Sequence, residues 1–299
     1  MSAPAVTHAA NEVLADELIT LRDLLRFTIS SMARAEVSHG HGFADAPTEA
    51  AYLVAWFCRL PHGALDENLG ARMTRAERVE YLALLDRRVV DRVPAPYLSG
   101  EAWLGDFRFR VDPRVLIPRS FIAELLLEGL TPWVADANGI QRALDLCTGS
   151  GCLAILVAHA FPDALVDGAD LSTDALEVAR ANVADHGVED RLRLVASDLF
   201  AGLGDERYDL IVSNPPYVDA PSMAALPPEY RHEPALALAA GTDGLDLVRR
   251  ILAEARDHLT DNGVIVVEIG HNRAALEAAY PDTPFTWRSE ERRVGKECA

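Results

Sequence analysis

The sequence predicts an α/β protein: a parallel sheet covered by helices on both faces, preceded by a small helical domain and a β-hairpin. Three observations predict it. From residue 121 onward, short apolar runs alternate with segments long enough for helices, which is the pattern of strand–helix–strand units. Residues 1–92 instead carry leucines at helical spacing. Between them, Pro94, Pro96, Pro113 and Pro118 punctuate two short alternating runs.

The elements follow in order. Residues 9–35 read as helical, with Leu14, Leu18, Leu21, Leu24, Leu25 and Ile29 at helical spacing. Segment 38–49 is a loop by composition, and Pro47 suits the first turn of a second helix ending near Leu60. Thr74 and Glu77 form a capping-box pattern, each able to satisfy the other's exposed amide, and open a third helix to about Val90. Residues 101–103 and 107–111 are expected strands around Leu104-Gly105-Asp106, so residues 93–120 are expected to be a linker hairpin. Residues 121–287 form the α/β domain. Its expected helices are 121–130, 151–161, 173–186, 243–259 and 272–280. Its expected strands are 142–147, 164–170, 191–196, 208–213, 264–269 and a last short one near 283–287. Ser172 and Gly187 cap the helix over 173–186.

Composition bounds the function. The chain has 299 residues, 49% apolar and 25% charged, enough to bury a core and unlike a disordered chain. No apolar run approaches the roughly 18 residues of a membrane helix. The start MSAPAVTHAANEV has neither the basic end nor the apolar core of a secretion signal. Cys58, Cys147, Cys152 and Cys298 are too scattered for a disulfide framework, so a cytoplasmic location is expected. The net charge of −18, from 46 acids against 28 bases, counts against nucleic acid as main partner and suits a basic protein target.

In a parallel α/β sheet ligands bind beyond the carboxyl ends of the strands, beside the switch in strand order. The first such loop is Asp145-Leu146-Cys147-Thr148-Gly149-Ser150-Gly151. Its glycines permit a tight turn and close backbone approach to a ligand, and the next helix opens with its amides facing that ligand. Asp170 ends the second strand, where a carboxylate can take both ribose hydroxyls of a nucleoside. This pattern alone fits NAD as well as S-adenosylmethionine. After the third strand, Asp198 or a neighbouring amide can take an adenine amino group, with Leu199 and Phe200 against the ring. After the fourth comes Asn214-Pro215-Pro216-Tyr217. Proline fixes φ and removes donors, leaving a stiff turn with open carbonyls. The Asn214 side-chain oxygen and the Pro215 carbonyl can accept from one planar amino group, and Tyr217 supplies a flat wall. Such a device presents an amide or nucleobase nitrogen to an electrophilic methyl.

These motifs resemble the HemK-like protein glutamine N5-methyltransferases that modify translation proteins. The resemblance covers about residues 9–287 and implies a Rossmann-like S-adenosylmethionine-dependent methyltransferase domain. It implies cofactor contacts from Asp145, Leu146, Cys147, Thr148, Gly149, Asp170 and Asn214, and a glutamine amide held by Asn214, Pro215, Pro216 and Tyr217. Ile117-Pro118-Arg119 and Glu268-Ile269-Gly270 also match family segments. Residues 147–152, Tyr230-Arg231-His232-Glu233-Pro234 and Gly241-Thr242-Asp243-Gly244 resemble the branch whose substrate is large-subunit ribosomal protein three; the other branch modifies release factors. The resemblance stops at Trp287. The family then has a further strand, whereas residues 288–299 are polar, so a truncated or foreign end is expected.

His232 is expected to shape the loop behind Asn214–Tyr217 rather than act as a base. Glu233 is open to two uses, the substrate backbone or Arg231. His39 and His41 lack further ligand spacing, and no metal is expected; Cys147 and Cys152 are expected to be small core residues. Three rival readings remain: an adenine N6-methyltransferase acting on nucleic acid, an NAD-linked oxidoreductase, and an inactive fold that only binds a ribosomal protein.

Overall fold

The structure is a computed structural model that describes residues 8–61, 63–134 and 136–288. The stretch expected over 9–35 is two helices, α1 (His8–Glu17) and α2 (Leu21–Arg34). The break has a local cause. The Thr20 hydroxyl accepts the Asp23 amide, and the Asp23 carboxylate accepts the Thr20 amide at 2.8 Å, so a capping box starts a new helix. Helix α3 (Ala46–Phe57) is capped by Asp45 and carries Pro47 in its first turn. A short α4 (Leu65–Asn68) follows, then α5 (Arg75–Val89), opened by the Thr74–Glu77 capping box. Leu18, Leu21, Leu24, Val54, Tyr81 and Leu85 pack into one core among these helices. Inside it the Thr28 and Tyr81 hydroxyls bond at 2.7 Å, which satisfies both buried groups.

A short α6 (Ala95–Ser99) lies in the segment expected to be linker, and Gly100 ends it at φ 75°. Strands β1 (Glu101–Leu104) and β2 (Phe107–Arg110) form the expected antiparallel hairpin. Asn182 fastens it: its side chain bonds both the amide and the carbonyl of Arg110 and also reaches the Ser150 carbonyl at 2.8 Å.

After α7 (Ile122–Leu127) the chain alternates: β3 (Arg142–Leu146), α8 (Cys152–Ala160), β4 (Leu165–Asp170), α9 (Thr173–His186), β5 (Leu192–Ala196) and β6 (Tyr208–Ser213). Then come α10 (Ala220–Ala225), α11 (Asp246–His258), β7 (Leu259–Val267) and α12 (Arg273–Ala279). Helix α9 is capped by Ser172 and closed by Gly187 at φ 64°. The sheet is parallel, in the order β5-β4-β3-β6-β7. Neighbouring residues serve opposite faces, as the pleat requires: Ala143 packs with α8, Leu144 with Ile251 of α11. The order reverses between β3 and β6, which places a crevice at their carboxyl ends.

Two expectations fail toward the carboxyl end. Strand β7 starts at Leu259 rather than residue 264, because Leu259 pairs with Tyr208 across an irregular step. The strand expected near 283–287 is absent. Phe285 and Trp287 instead pack against a cluster of Leu245, Val248 and Leu276, and Arg273 lies over the Trp287 ring. Burial of these rings against α11 and α12 replaces pairing along β7. The polar tail, apart from Arg288, lies outside the described residues. Among those residues no helix is long and apolar enough to cross a membrane.

Candidate active site

The carboxyl ends of β3, β4, β5 and β6 meet in register, with Leu146 beside both Ala169 and Ser213, and Asp170 beside Ala196. The four loops singled out in the sequence therefore converge. The turn after β3 depends on backbone freedom. Cys147, Gly149 and Gly151 have φ of 59°, 54° and 80°. A Cβ on Gly151 would stand 3.2 Å from the Ala179 Cβ of α9, so helix and turn touch there because glycine leaves room.

Asp145 sits beneath this turn, 1% exposed. One of its oxygens accepts the Thr148 hydroxyl at 2.6 Å and the Ala154 amide at 2.9 Å; the other, Oδ1, is buried with no partner. Burial pushes its pKa up to about 7 despite those two donors. Asp170 accepts the Gly149 amide on Oδ2 and the Ser172 amide on Oδ1, both at 2.8 Å. Its carboxylate thus ties the β3 turn to the start of α9. Burial raises the pKa of Asp170, against these same amides.

After β5, Asp198 is half-exposed and pairs with Arg250 at 3.0 Å. Leu199 has φ 51° and a side chain buried in the core, and its carbonyl accepts the Ser197 hydroxyl at 2.6 Å. Phe200 departs from the expectation that it lies against a ligand ring. It is 3% exposed and stacks on His258, with centroids 4.5 Å apart, because α11 crosses beneath this loop. Cys147 and Cys152 pack at the edges of the two sheet-face clusters, and burial pushes both thiols up.

After β6, Asn214 is half-buried and Pro215 and Pro216 are buried. Asn214 Oδ1 is buried without a hydrogen-bond partner. Ser213 anchors the strand end by donating to the Leu146 carbonyl at 2.9 Å. The Tyr217 ring lies against Gly270, where a Cβ would come within 2.7 Å of it, and its carbonyl accepts from Asn272 at 2.7 Å.

Several residues behind this loop were not read as a set from the sequence. Glu233 is buried and turns to Arg119 rather than Arg231; it makes a two-pronged pair with Arg119, at 2.6 and 2.8 Å, and accepts the Ile117 amide. His41 Nε2 lies 3.4 Å from the same carboxylate. Burial opposes ionisation of Glu233, but His41 and Arg119 hold its pKa down at about 2. Arg88, 1% exposed, pairs with Glu49 of α3 and with Glu229, and Arg92 joins Glu229 at 3.2 Å. His39 pairs with Glu49, and His232 bonds the Asp91 carbonyl at 2.8 Å. The advance signals for this set were the motif matches at Ile117–Arg119 and Tyr230–Pro234; Arg88, Arg92 and Glu49 carried none.

Residues 123–225 match the family described as Methyltransferase small domain. The chain is 58% identical over 271 residues to the ribosomal protein uL3 glutamine methyltransferase of Bordetella pertussis, covering 91% of each chain. It is 54% identical over 282 residues to that of Neisseria meningitidis serogroup B, covering 94% of this chain and 93% of the relative. With the Burkholderia pseudomallei protein of the same name it shares 51% over 275 residues, 90% of each. The chain belongs to the ribosomal protein uL3 glutamine methyltransferase family.

Members of this family take their methyl group from S-adenosylmethionine, and the residues here fit that donor. Two buried oxygens, Asp145 Oδ1 and Asn214 Oδ1, lie at the carboxyl ends of β3 and β6 without partners. An unpaired buried acceptor is costly unless a ligand donor meets it. The positive-φ turn beside them leaves backbone in place of side chains, and Asp170 closes the far end.

Proposed function

We propose that this chain methylates the side-chain amide nitrogen of a glutamine in large-subunit ribosomal protein uL3, in the cytoplasm. The observation that carries the reading is the unsatisfied Asn214 Oδ1, set between the end of β6 and two buried prolines. S-adenosylmethionine supplies an electrophilic methyl on a positively charged sulfur. Gly149 and Gly151 let the β3 turn approach it, Asp170 takes the ribose hydroxyls with its remaining lone pairs, and Asp198 with the Leu199 backbone faces the adenine. Asp145, Leu146, Cys147 and Thr148 shape the floor.

Asn214 Oδ1 and the Pro215 carbonyl accept the two hydrogens of the glutamine amide, with Pro216 stiffening the turn and Tyr217 as the wall. An amide nitrogen shares its lone pair with its carbonyl and is a poor nucleophile. Two fixed acceptors favour the pyramidal form whose lone pair is available, and positioning with electrostatic stabilisation supplies the acceleration. The methylated nitrogen loses its proton readily, so no strong base is needed. The helical domain, residues 1–92, chooses the substrate, and no direct nucleic-acid contact is involved.

The test offers labelled S-adenosylmethionine with unmethylated uL3, a release factor and duplex DNA side by side, with mass spectrometry locating the methyl. Label on one glutamine of uL3 is expected. Label on the release factor overturns the substrate, and label on adenine overturns the substrate class.

A further inference from the structure

Glu268 follows β7 directly, and its carboxylate is bound from three directions. Its Oε2 accepts the Ser120 hydroxyl at 2.6 Å and the Phe121 amide at 3.2 Å; its Oε1 accepts the Tyr217 hydroxyl at 3.3 Å. Its own amide donates to the Ser213 carbonyl at 2.9 Å, directly before Asn214. The carboxylate therefore joins three segments: the one after Ile117-Pro118-Arg119, the wall of the proposed glutamine slot, and the end of β7. The same turn also seats the Tyr217 ring on Gly270 and holds its carbonyl through Asn272.

We propose that Glu268 is a positioning residue, which fixes the Tyr217 ring through its hydroxyl and so sets the face that a substrate amide packs against. This rests on Tyr217 walling the glutamine slot. The ring can rotate about its side-chain bonds. Gly270 limits one face of it, and the hydroxyl bond to Glu268 selects the orientation. Ionised, Glu268 accepts all three donors; protonated, one oxygen becomes a donor and a bond is lost. The charged or titratable groups facing it are Arg119 and Tyr217, and burial raises its pKa above the usual carboxylate value.

The experiment measures kcat, KM for uL3 and cofactor affinity for wild type, E268A, Y217F and the double variant. E268A should lower kcat about tenfold, the scale of one hydrogen bond to a charged group, with cofactor affinity unchanged. In the Y217F background E268A should add nothing, since the hydroxyl it acts through is gone. A full additional loss there, or an unchanged kcat in E268A alone, overturns the proposal. S120A leaves Glu268 in place and covers the case in which E268A does not fold. Loss of the Ser120 donor destabilises the ionised form, so the acid limb of the kcat profile should move to higher pH; an unmoved limb overturns the proposal. Wild type that transfers no methyl to uL3 overturns the proposed substrate and this inference with it. Wild type that methylates uL3, with E268A at full kcat, overturns this inference alone.

Discussion

The loops after β3 and β4 are held by short-range bonds: Thr148 to Asp145 spans three residues and Gly149 to Asp170 spans 21. The loop after β6 is backed by residues far away in the chain: Arg119 to Glu233 spans 114 residues and Arg88 to Glu229 spans 141. The first region uses backbone amides and one acid per loop. The second uses buried charges, Arg88 and Glu229 at 1% and 0% exposure among them. Buried pairs contribute little net stability against an apolar alternative, yet losing one partner strands the other. The loops after β3 and β4 are thus held locally, and the residues behind the loop after β6 are held in register partly by Arg88, which α5 carries.

The largest effect should come from breaking that register. Arg88→Ala leaves Glu49 and Glu229 without their shared partner and should cost about 3–5 kcal/mol in urea unfolding. Removing the charges together, as Arg88→Met with Glu49→Gln and Glu229→Gln, should recover most of it. A small loss in the single variant would show that Arg92 and the Ser38 amide suffice for Glu229.

Asn214→Ala tests the crevice itself. It should lower kcat by about 10²–10³-fold, the scale of losing one preorganised electrostatic contact, while calorimetric cofactor affinity changes little. Equal loss in both would move Asn214 wholly to the donor side.

A pH titration separates the two regions next. The folded pKa of Asp145, about 7, lies above its unfolded value, so its share of stability is full below about pH 4 and is lost as pH rises through 7. Glu233 has the opposite sign: its share is present above the ordinary carboxylate value and is lost as pH falls toward 2. Asp145→Asn should therefore flatten the fall in stability between pH 4 and 7 without touching the acid limb below it. The smallest effect belongs to Arg250→Ala. The Asp198–Arg250 pair is about half-exposed on both sides, and its loss should change the unfolding free energy by less than about 1 kcal/mol.

The alternation of strands and helices, the caps at Thr74, Ser172 and Gly187, and the four loops at the strand ends were all legible in the residues alone. Each depends on side-chain period, backbone freedom at glycine or proline, or a hydrogen bond within a few residues. Thr20 and Asp23 also form a local capping box, hidden by the continuous leucine spacing around them. Whatever needs two distant segments side by side was settled by packing instead. The strand expected near 283–287 found no partner, and its rings turned to α11 and α12. Phe200 went under His258 rather than toward the crevice. Glu233 found Arg119 and not its neighbour Arg231, and Glu268 found Tyr217 and Ser120. A charged side chain carries no period that names its partner, and the cost of burying it is met wherever the fold brings an opposite charge or a donor.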